Sequence, residues 1–265
     1  MRFGACIDTL YTELNWYDRI AAAKKDGFDA VEFWDWRNID LNRAADCARE
    51  SNILISGFNG DADYSLVDPA HKNAYLEYLH RSIETAKLLG ATSVTIHSNA
   101  LGEGGVVVNH YNELSDTVKL CCMLDTLKAA TALAEREGVQ LNLEALNIYT
   151  DHVGNFLSTT RMAAEICRII ASDKLRILYD VYHMQIDEGN LCGNIAAYGD
   201  VIGHVHIADV PGRHEPGTGE INYVKILKRL DDVGYTGIVG CELFPETNTA
   251  GAVRAIMRVK AAVEN

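Results

Sequence analysis

Eight short apolar runs alternate with eight longer stretches of helical period, and that alternation limits the fold more than any single residue does. The runs are 2–7, 29–34, 53–58, 92–97, 139–145, 175–180, 202–208 and 237–243. Amphipathic segments lie near 16–26, 40–51, 69–89, 115–137, 158–171, 189–199, 222–233 and 249–263. Strands separated by helices imply βαβ units, because parallel neighbours need a long crossover. Eight such units in 265 residues fit a closed barrel, for which roughly 250 residues is typical. The expected fold is α/β, a (β/α)8 TIM barrel forming a single domain over 1–265. A doubly wound open sheet is the alternative.

Several helix ends carry local signals. Asp68 before Pro69 reads as an N-cap with proline in the first turn. Ser115 reads as the cap of the next long helix, and Gly90 and Gly138 as left-handed closing residues. Gly27 and Gly234 stand at similar ends. The longest connection, from about Ser98 to Glu113, has the length of a functional loop over one end of the barrel.

Composition narrows the function classes. Net charge is −13, from 37 acidic against 24 basic residues. No basic cluster of the kind a nucleic-acid face needs is visible, so no nucleic-acid partner is expected. No apolar stretch approaches the ~20 residues of a spanning helix, and the N-terminus lacks signal-peptide order. Seven scattered cysteines without a C-x-x-C pair read as reduced thiols, so a cytoplasmic protein with no membrane role is expected. A homo-oligomer is left open. No phosphate loop, G-x-G-x-x-G, H-E-x-x-H or G-x-S-x-G is present.

Side chains alternate faces along a strand. In 139–146 the leucines 141 and 143 share one face, Asn142 and Glu144 the other. Leu178 and Asp180, His204 and His206, and Gly240 and Glu242 are the matching pairs on the next three strands. The apolar face suits the outer helices, so the polar one points into the barrel. Each inward face then ends on an ionisable residue at the strand's C-terminal end, where barrel active sites lie. Glu144, Asp180, His206 and Glu242 are thus aimed at one mouth. Three buried carboxylates repel each other and lose their water, and one divalent cation offsets both costs. The donor set suits Mn²⁺, Mg²⁺, Co²⁺ or Zn²⁺, with Mn²⁺ or Mg²⁺ favoured. Taken singly, each residue reads as an ordinary cap, ion-pair partner or core histidine. Four on successive strands do not.

Three stretches resemble a known family: YDVYHMQIDEGNL (179–191), HVHIADVPGRHEPGTGEINY (204–223) and GYTGIVGCE (234–242). They resemble the hydroxypyruvate isomerase family, within the xylose-isomerase-like TIM barrels that also include ketose 3-epimerases and endonuclease IV. The similarity spans the chain and is strongest from Glu144 onward. It implies that Glu144 and Glu242 are both metal ligands and the catalytic acid/base pair, with Asp180 and His206 the other ligands. It also implies that His183 and Arg213 contact substrate. Some hydroxypyruvate isomerases carry glutamine at the strand-7 ligand position, whereas this chain has His206, the residue type that the epimerases carry there.

The chemistry expected of these residues is proton movement within a small hydroxycarbonyl substrate. Removing a proton beside a carbonyl gives an enediolate, which a metal ion stabilises as a Lewis acid. Two carboxylates can remove and return the proton. Arg213, in a loop shaped by two prolines and three glycines, could grip a substrate carboxylate or pair with Glu215 or Glu220. His97 ends strand 4 as a candidate pocket residue, and Glu32 and Trp34 end strand 2 at the mouth. Trp34 and Trp36 read equally well as helix-packing residues. The expected activity is isomerisation of hydroxypyruvate to tartronate semialdehyde. The alternatives are a ketose 3-epimerase, an endonuclease IV-like nuclease and a non-catalytic binding barrel.

Overall fold

The computed structural model describes residues 1–264. Eight parallel strands are present: β1 (Arg2–Cys6), β2 (Ala30–Phe33), β3 (Leu54–Phe58), β4 (Ser93–Ile96), β5 (Gln140–Glu144), β6 (Leu175–Asp180), β7 (Ile202–His206) and β8 (Ile238–Cys241). The ladders run in the order β3-β2-β1-β8-β7-β6-β5-β4. An open sheet would leave β3 and β4 apart. Instead Ser93 Oγ donates to Ser56 O at 3.0 Å, and Gly60 N donates to Thr95 O at 2.7 Å. A parallel bridge joins Asn59 to Thr95. The barrel is therefore closed, and the doubly wound alternative falls. The seam is tight: a Cβ on Gly57 would stand 2.8 Å from Ser93 O.

The helices are α1 (Trp16–Lys25), α2 (Leu41–Glu50), α3 (Lys72–Leu89), α4 (Asp116–Glu137), α5 (Thr160–Ile170), α6 (Val181–Asp187), α7 (Leu191–Tyr198), α8 (Tyr223–Asp232) and α9 (Thr249–Glu264). Ser115 caps α4 through Val118 N, and Gly138 closes it at φ 80°. The cap at Asp68 does not form. α3 starts at Lys72, and Asp68 instead accepts from Ala70 N in a turn before it. Proline 69 fixes that turn rather than a first helical turn.

The outward strand face forms the core with the helices. Val31, Ile55, Val94, Leu141, Leu143, Ile177, Val205 and Val239 are buried there against Leu79, Ile83, Leu127 and Ala130. Inside, the barrel is polar where branched apolar layers are usual. Glu32, Ser56, Ser93, Thr95, Asn142 and His204 are all buried. Among the described residues no helix is long and apolar enough to cross a membrane.

Candidate active site

The last inward residue of β5, β6 and β7, and the residue just after β8, converge at the C-terminal end of the barrel. Asp180 closes β6 and caps α6, its Oδ1 accepting from Tyr182 N at 2.8 Å and from His183 N at 3.4 Å. Its Oδ2 is left facing the mouth with no hydrogen bond, as are Glu144 Oε1 and His206 Nδ1. His206 Nδ1 stands 4.0 Å from Glu144 Oε1 and 3.6 Å from Glu242 Oε2. Donor atoms of Asp180, His206 and Glu242 lie within 4.8 Å of one another. A buried polar atom without a partner is costly. Three such atoms from different strands, all strong ligand types, fit one divalent cation.

The carboxylates differ in how they are held. Glu242 has a donor on each oxygen: Trp34 Nε1 on Oε1 at 2.5 Å and the Arg213 guanidinium on Oε2. Burial disfavours its charge, but Arg213 and His206 outweigh that and hold Glu242 well below the usual carboxylate range. Glu144 has one donor, His97 Nε2 on Oε2 at 3.1 Å. Asp180 is pushed up to about 7, chiefly by burial and also by Glu144, against the pull of Arg213.

Supporting contacts run behind these groups. His97 is clasped by Asp61, whose Oδ1 is 2.9 Å from Nδ1 and whose Oδ2 accepts the His97 backbone N–H at 2.6 Å. Tyr75 OH also donates to Asp61 at 3.1 Å. Burial alone would lower the His97 pKa, yet Asp61 and Glu144 raise it to about 10. Deeper in the barrel, Glu32 Oε1 is 3.2 Å from His206 Nε2, and Oε2 is 2.9 Å from His204 Nε2. Burial opposes the Glu32 charge, but His206 and His204 hold its carboxyl far below the usual range. A carboxylate behind a histidine fixes the ring and leaves its other nitrogen free to ligate.

Arg213 pairs with neither Glu215 nor Glu220, which accept from Glu246 N and Gln185 respectively. Its guanidinium bonds Glu242, stands 3.7 Å from Asp180 Oδ2 and lies over the Tyr182 ring at 5.1 Å. The loop that delivers it is organised by buried Asp209, which accepts from Val210 N, Gly217 N and Ile221 N. Arg213 itself takes φ 57°, a left-handed conformation that disfavours side chains and persists only when the loop enforces it. A cleft of about 900 Å³ opens over these groups, with Trp34 and Phe244 on one side and His152, Tyr182 and His183 on another.

The xylose isomerase-like TIM barrel family matches residues 20–261. The chain belongs to that family. A hydroxypyruvate isomerase of Escherichia coli is 28% identical over 262 residues, covering 96% of this chain and 97% of that one. A 2-oxo-tetronate isomerase of Cupriavidus necator is 29% identical over 262 residues, 95% and 96% of the two chains. Among solved structures, an AP endonuclease of family 2 from Brucella melitensis superposes with a TM-score of 0.88 at 24% identity, over 97% of this chain and 98% of that one. At that identity the likeness concerns the fold. The curated relatives are named isomerases, and this xylose isomerase-like barrel is an enzyme of that class.

Glu144, Asp180, His206, Glu242, His183, Arg213 and His97 all reach this family's mouth of the barrel. Glu32 does not. It belongs to the barrel interior, because β2 ends one residue beyond it, and only Trp34 reaches the cleft. Trp36 packs against Tyr78 and donates to Ser82, as a helix-packing residue does. Asp61, Asn147 and His152 were not singled out from the sequence. Asp61 lies three residues past the end of β3, and the register shift between β2 and β3 puts it beyond a period-2 reading of that strand. The glycine before Glu242 on the same face is forced by the packing, since a Cβ on Gly240 would run into Glu32 Oε1 and His206 Cδ2. Gly240→Ala should cost about 1–3 kcal/mol of stability, the range for overpacking, read as a lower urea midpoint. An unchanged midpoint would show that the interior can yield.

Proposed function

We propose that the chain is a metal-dependent isomerase of small hydroxy-oxo acids, interconverting hydroxypyruvate and tartronate semialdehyde. The observation that carries this reading is the convergence of Glu144 Oε1, Asp180 Oδ2 and His206 Nδ1, none of which makes a hydrogen bond, beside Glu242. Glu144, Asp180, His206 and Glu242 would hold one divalent cation. When bound, that cation supplies Lewis-acid stabilisation of negative charge developing on substrate oxygen.

The chain's own groups divide the remaining work. One of Glu144 and Glu242 takes the proton from the hydroxyl-bearing carbon, and the other returns one to the neighbouring carbonyl carbon. The hydroxyl proton passes between the two substrate oxygens, so the reaction is balanced without a co-reactant. His97 and Asp61 keep Glu144 in place, and Trp34 and Arg213 do the same for Glu242. Arg213, which lines the cleft, is the cation placed to meet a substrate carboxylate. Incubation with hydroxypyruvate and Mn²⁺ in D₂O tests the reading: deuterium should appear at carbon. No exchange with any hydroxycarbonyl acid would overturn the acid reading, and no exchange with a ketose either would leave a binding barrel instead.

A ketose substrate is the second reading. It is favoured by the size of the cleft, about 900 Å³, and by the aromatic wall of Trp34 and Phe244, whose rings are 6.4 Å apart. A three-carbon acid fills little of that space. We expect kcat/KM to favour hydroxypyruvate over fructose, tagatose, psicose and ribulose, and Arg213→Ala to cost about 10²-fold or more on the acid, as loss of a buried charge-assisted pair implies. A thousandfold preference for a free ketose, indifferent to Arg213, would overturn the acid and leave the proton chemistry in place.

A further inference from the structure

Asn147 lies three residues past Glu144 and is wholly buried. Its Oδ1 accepts two backbone N–H groups, from Thr150 at 3.1 Å and Asp151 at 3.0 Å. Turned the other way, the amide would aim its own N–H groups at those two donors. The local turn therefore fixes which end is which. The Nδ2 end is the donor, and its two hydrogens are directed at Asp151 Oδ2 and His183 Nδ1, each at 2.7 Å. A donor aimed at Nδ1 requires a lone pair there, so the ring proton sits on Nε2.

One contact pulls the other way. Arg213 Nη2 is 3.5 Å from His183 Nε2 and could donate only if that nitrogen were unprotonated. Both contacts cannot be hydrogen bonds on one neutral ring. At 2.7 Å the Asn147 contact is a full-strength bond, whereas 3.5 Å is at the limit where such bonds fade. The Nε2 edge also stands 3.4 Å from Asp180 Oδ2, an acceptor with no hydrogen bond of its own. A proton on Nε2 suits that oxygen and the cleft that His183 lines.

We propose that Asn147 is a positioning residue that holds His183 as a neutral imidazole protonated on Nε2, so that His183 offers substrate oxygen a hydrogen-bond donor rather than a metal ligand. The donor role rests on the isomerase reading above, whereas the tautomer stands independently of it. The site otherwise groups His183 with Glu144 and Asp180 at metal-ligand spacing. The Asn147 hydrogen bond alone does not forbid ligation, because a ring accepting at Nδ1 could still present a bare Nε2 only as an anion. An imidazolate beside two carboxylates is strongly disfavoured. A neutral N–H, in contrast, stabilises oxyanion charge and needs no rearrangement as that charge grows.

Protein labelled with ¹⁵N at histidine and loaded with Mg²⁺ provides the test, read by long-range ¹H–¹⁵N correlation, with His183→Gln identifying the signals. In the wild type the protonated nitrogen should be Nε2. Asn147→Asp keeps the acceptor for Thr150 and Asp151 N–H but removes the donor, so the ring proton should move to Nδ1 or a second proton should join it. Because the new carboxylate faces Asp151, the pair Asn147→Asp/Asp151→Asn is made in parallel to relieve that repulsion, and Asp151→Asn alone should leave the tautomer unchanged. On the best substrate among hydroxypyruvate, psicose and ribulose, kcat should fall about 10²-fold in both Asn147 variants, the scale of one lost oxyanion donor, with KM changed far less. A wild-type ring protonated at Nδ1, or a metal-bound Nε2, overturns the proposal. So does an unchanged His183 spectrum in the folded double variant, or a normal kcat alongside a switched tautomer. If none of the three substrates reacts, the isomerase reading fails while the spectrum still decides the tautomer.

Discussion

Glu144→Gln and Glu242→Gln should each lower kcat on hydroxypyruvate by roughly 10²–10⁴-fold at saturating metal, the usual cost of one general acid or base. Glutamine keeps the size and one acceptor oxygen but cannot carry a proton. The two variants should differ in D₂O. Losing the group that removes the proton stops exchange from that substrate altogether. Losing the group that returns it leaves proton removal possible, so slow exchange into recovered substrate should persist. Glu144→Gln should fold normally, because its only donor is His97 and an amide can still accept from it. Glu242→Gln also removes the charge that Arg213 binds. Its loss therefore combines chemistry with position, and only the exchange pattern separates them. Either variant turning over within a few-fold of wild type would show that its residue carries no proton.

The barrel was legible because its strands and helices keep two different periods over the whole chain, and the order of elements follows from that. The four mouth residues were legible for the same reason: period 2 fixes the inward face, and Asp180 and His206 are the last residues of β6 and β7. What failed were features set by hydrogen bonds rather than by period. α6 is only seven residues, Val181–Asp187, and is launched by the Asp180 side chain itself, so no separate cap announces it. It is also what turns His183 back over Asp180. Asn147 looks like an ordinary turn residue, and its bond to His183 joins the loop after β5 to α6, 36 residues away in sequence. The Trp34 bond to Glu242 spans 208 residues and exists only because the barrel closes β1 between β2 and β8. From the sequence Arg213 reads either as a grip on a substrate carboxylate or as a partner of Glu215 or Glu220 in its own loop. The left-handed turn at Arg213 instead carries it across to the residue after β8.

Asp180→Ala and His206→Ala should each strip the protein of tightly bound divalent metal, measured by elemental analysis after purification without chelator. The argument is electrostatic. Asp180, Glu144 and Glu242 are all buried, and once His206 offers an unprotonated Nδ1 as a ligand, Arg213 and His97 are the cations left to oppose them among the described residues of the site. A cation that binds only the folded chain stabilises it by mass action, about 2.7 kcal/mol at a hundred times Kd. In a chain of this size that corresponds to a rise in Tm of roughly 5–10 °C. Wild-type protein should show that rise on adding Mn²⁺ or Mg²⁺, and the two alanine variants should not. Glu32→Gln gives a graded result. The glutamine keeps an oxygen for His204 but has no charge to set against His206 3.2 Å away, so the His206 ring is held less firmly. Metal affinity should fall about 10–100-fold, the scale for a group behind a ligand, with the bound stoichiometry unchanged at saturation. Equal metal content and equal Tm shifts in all four proteins would mean that the converging carboxylates and histidine are held by their protein contacts alone.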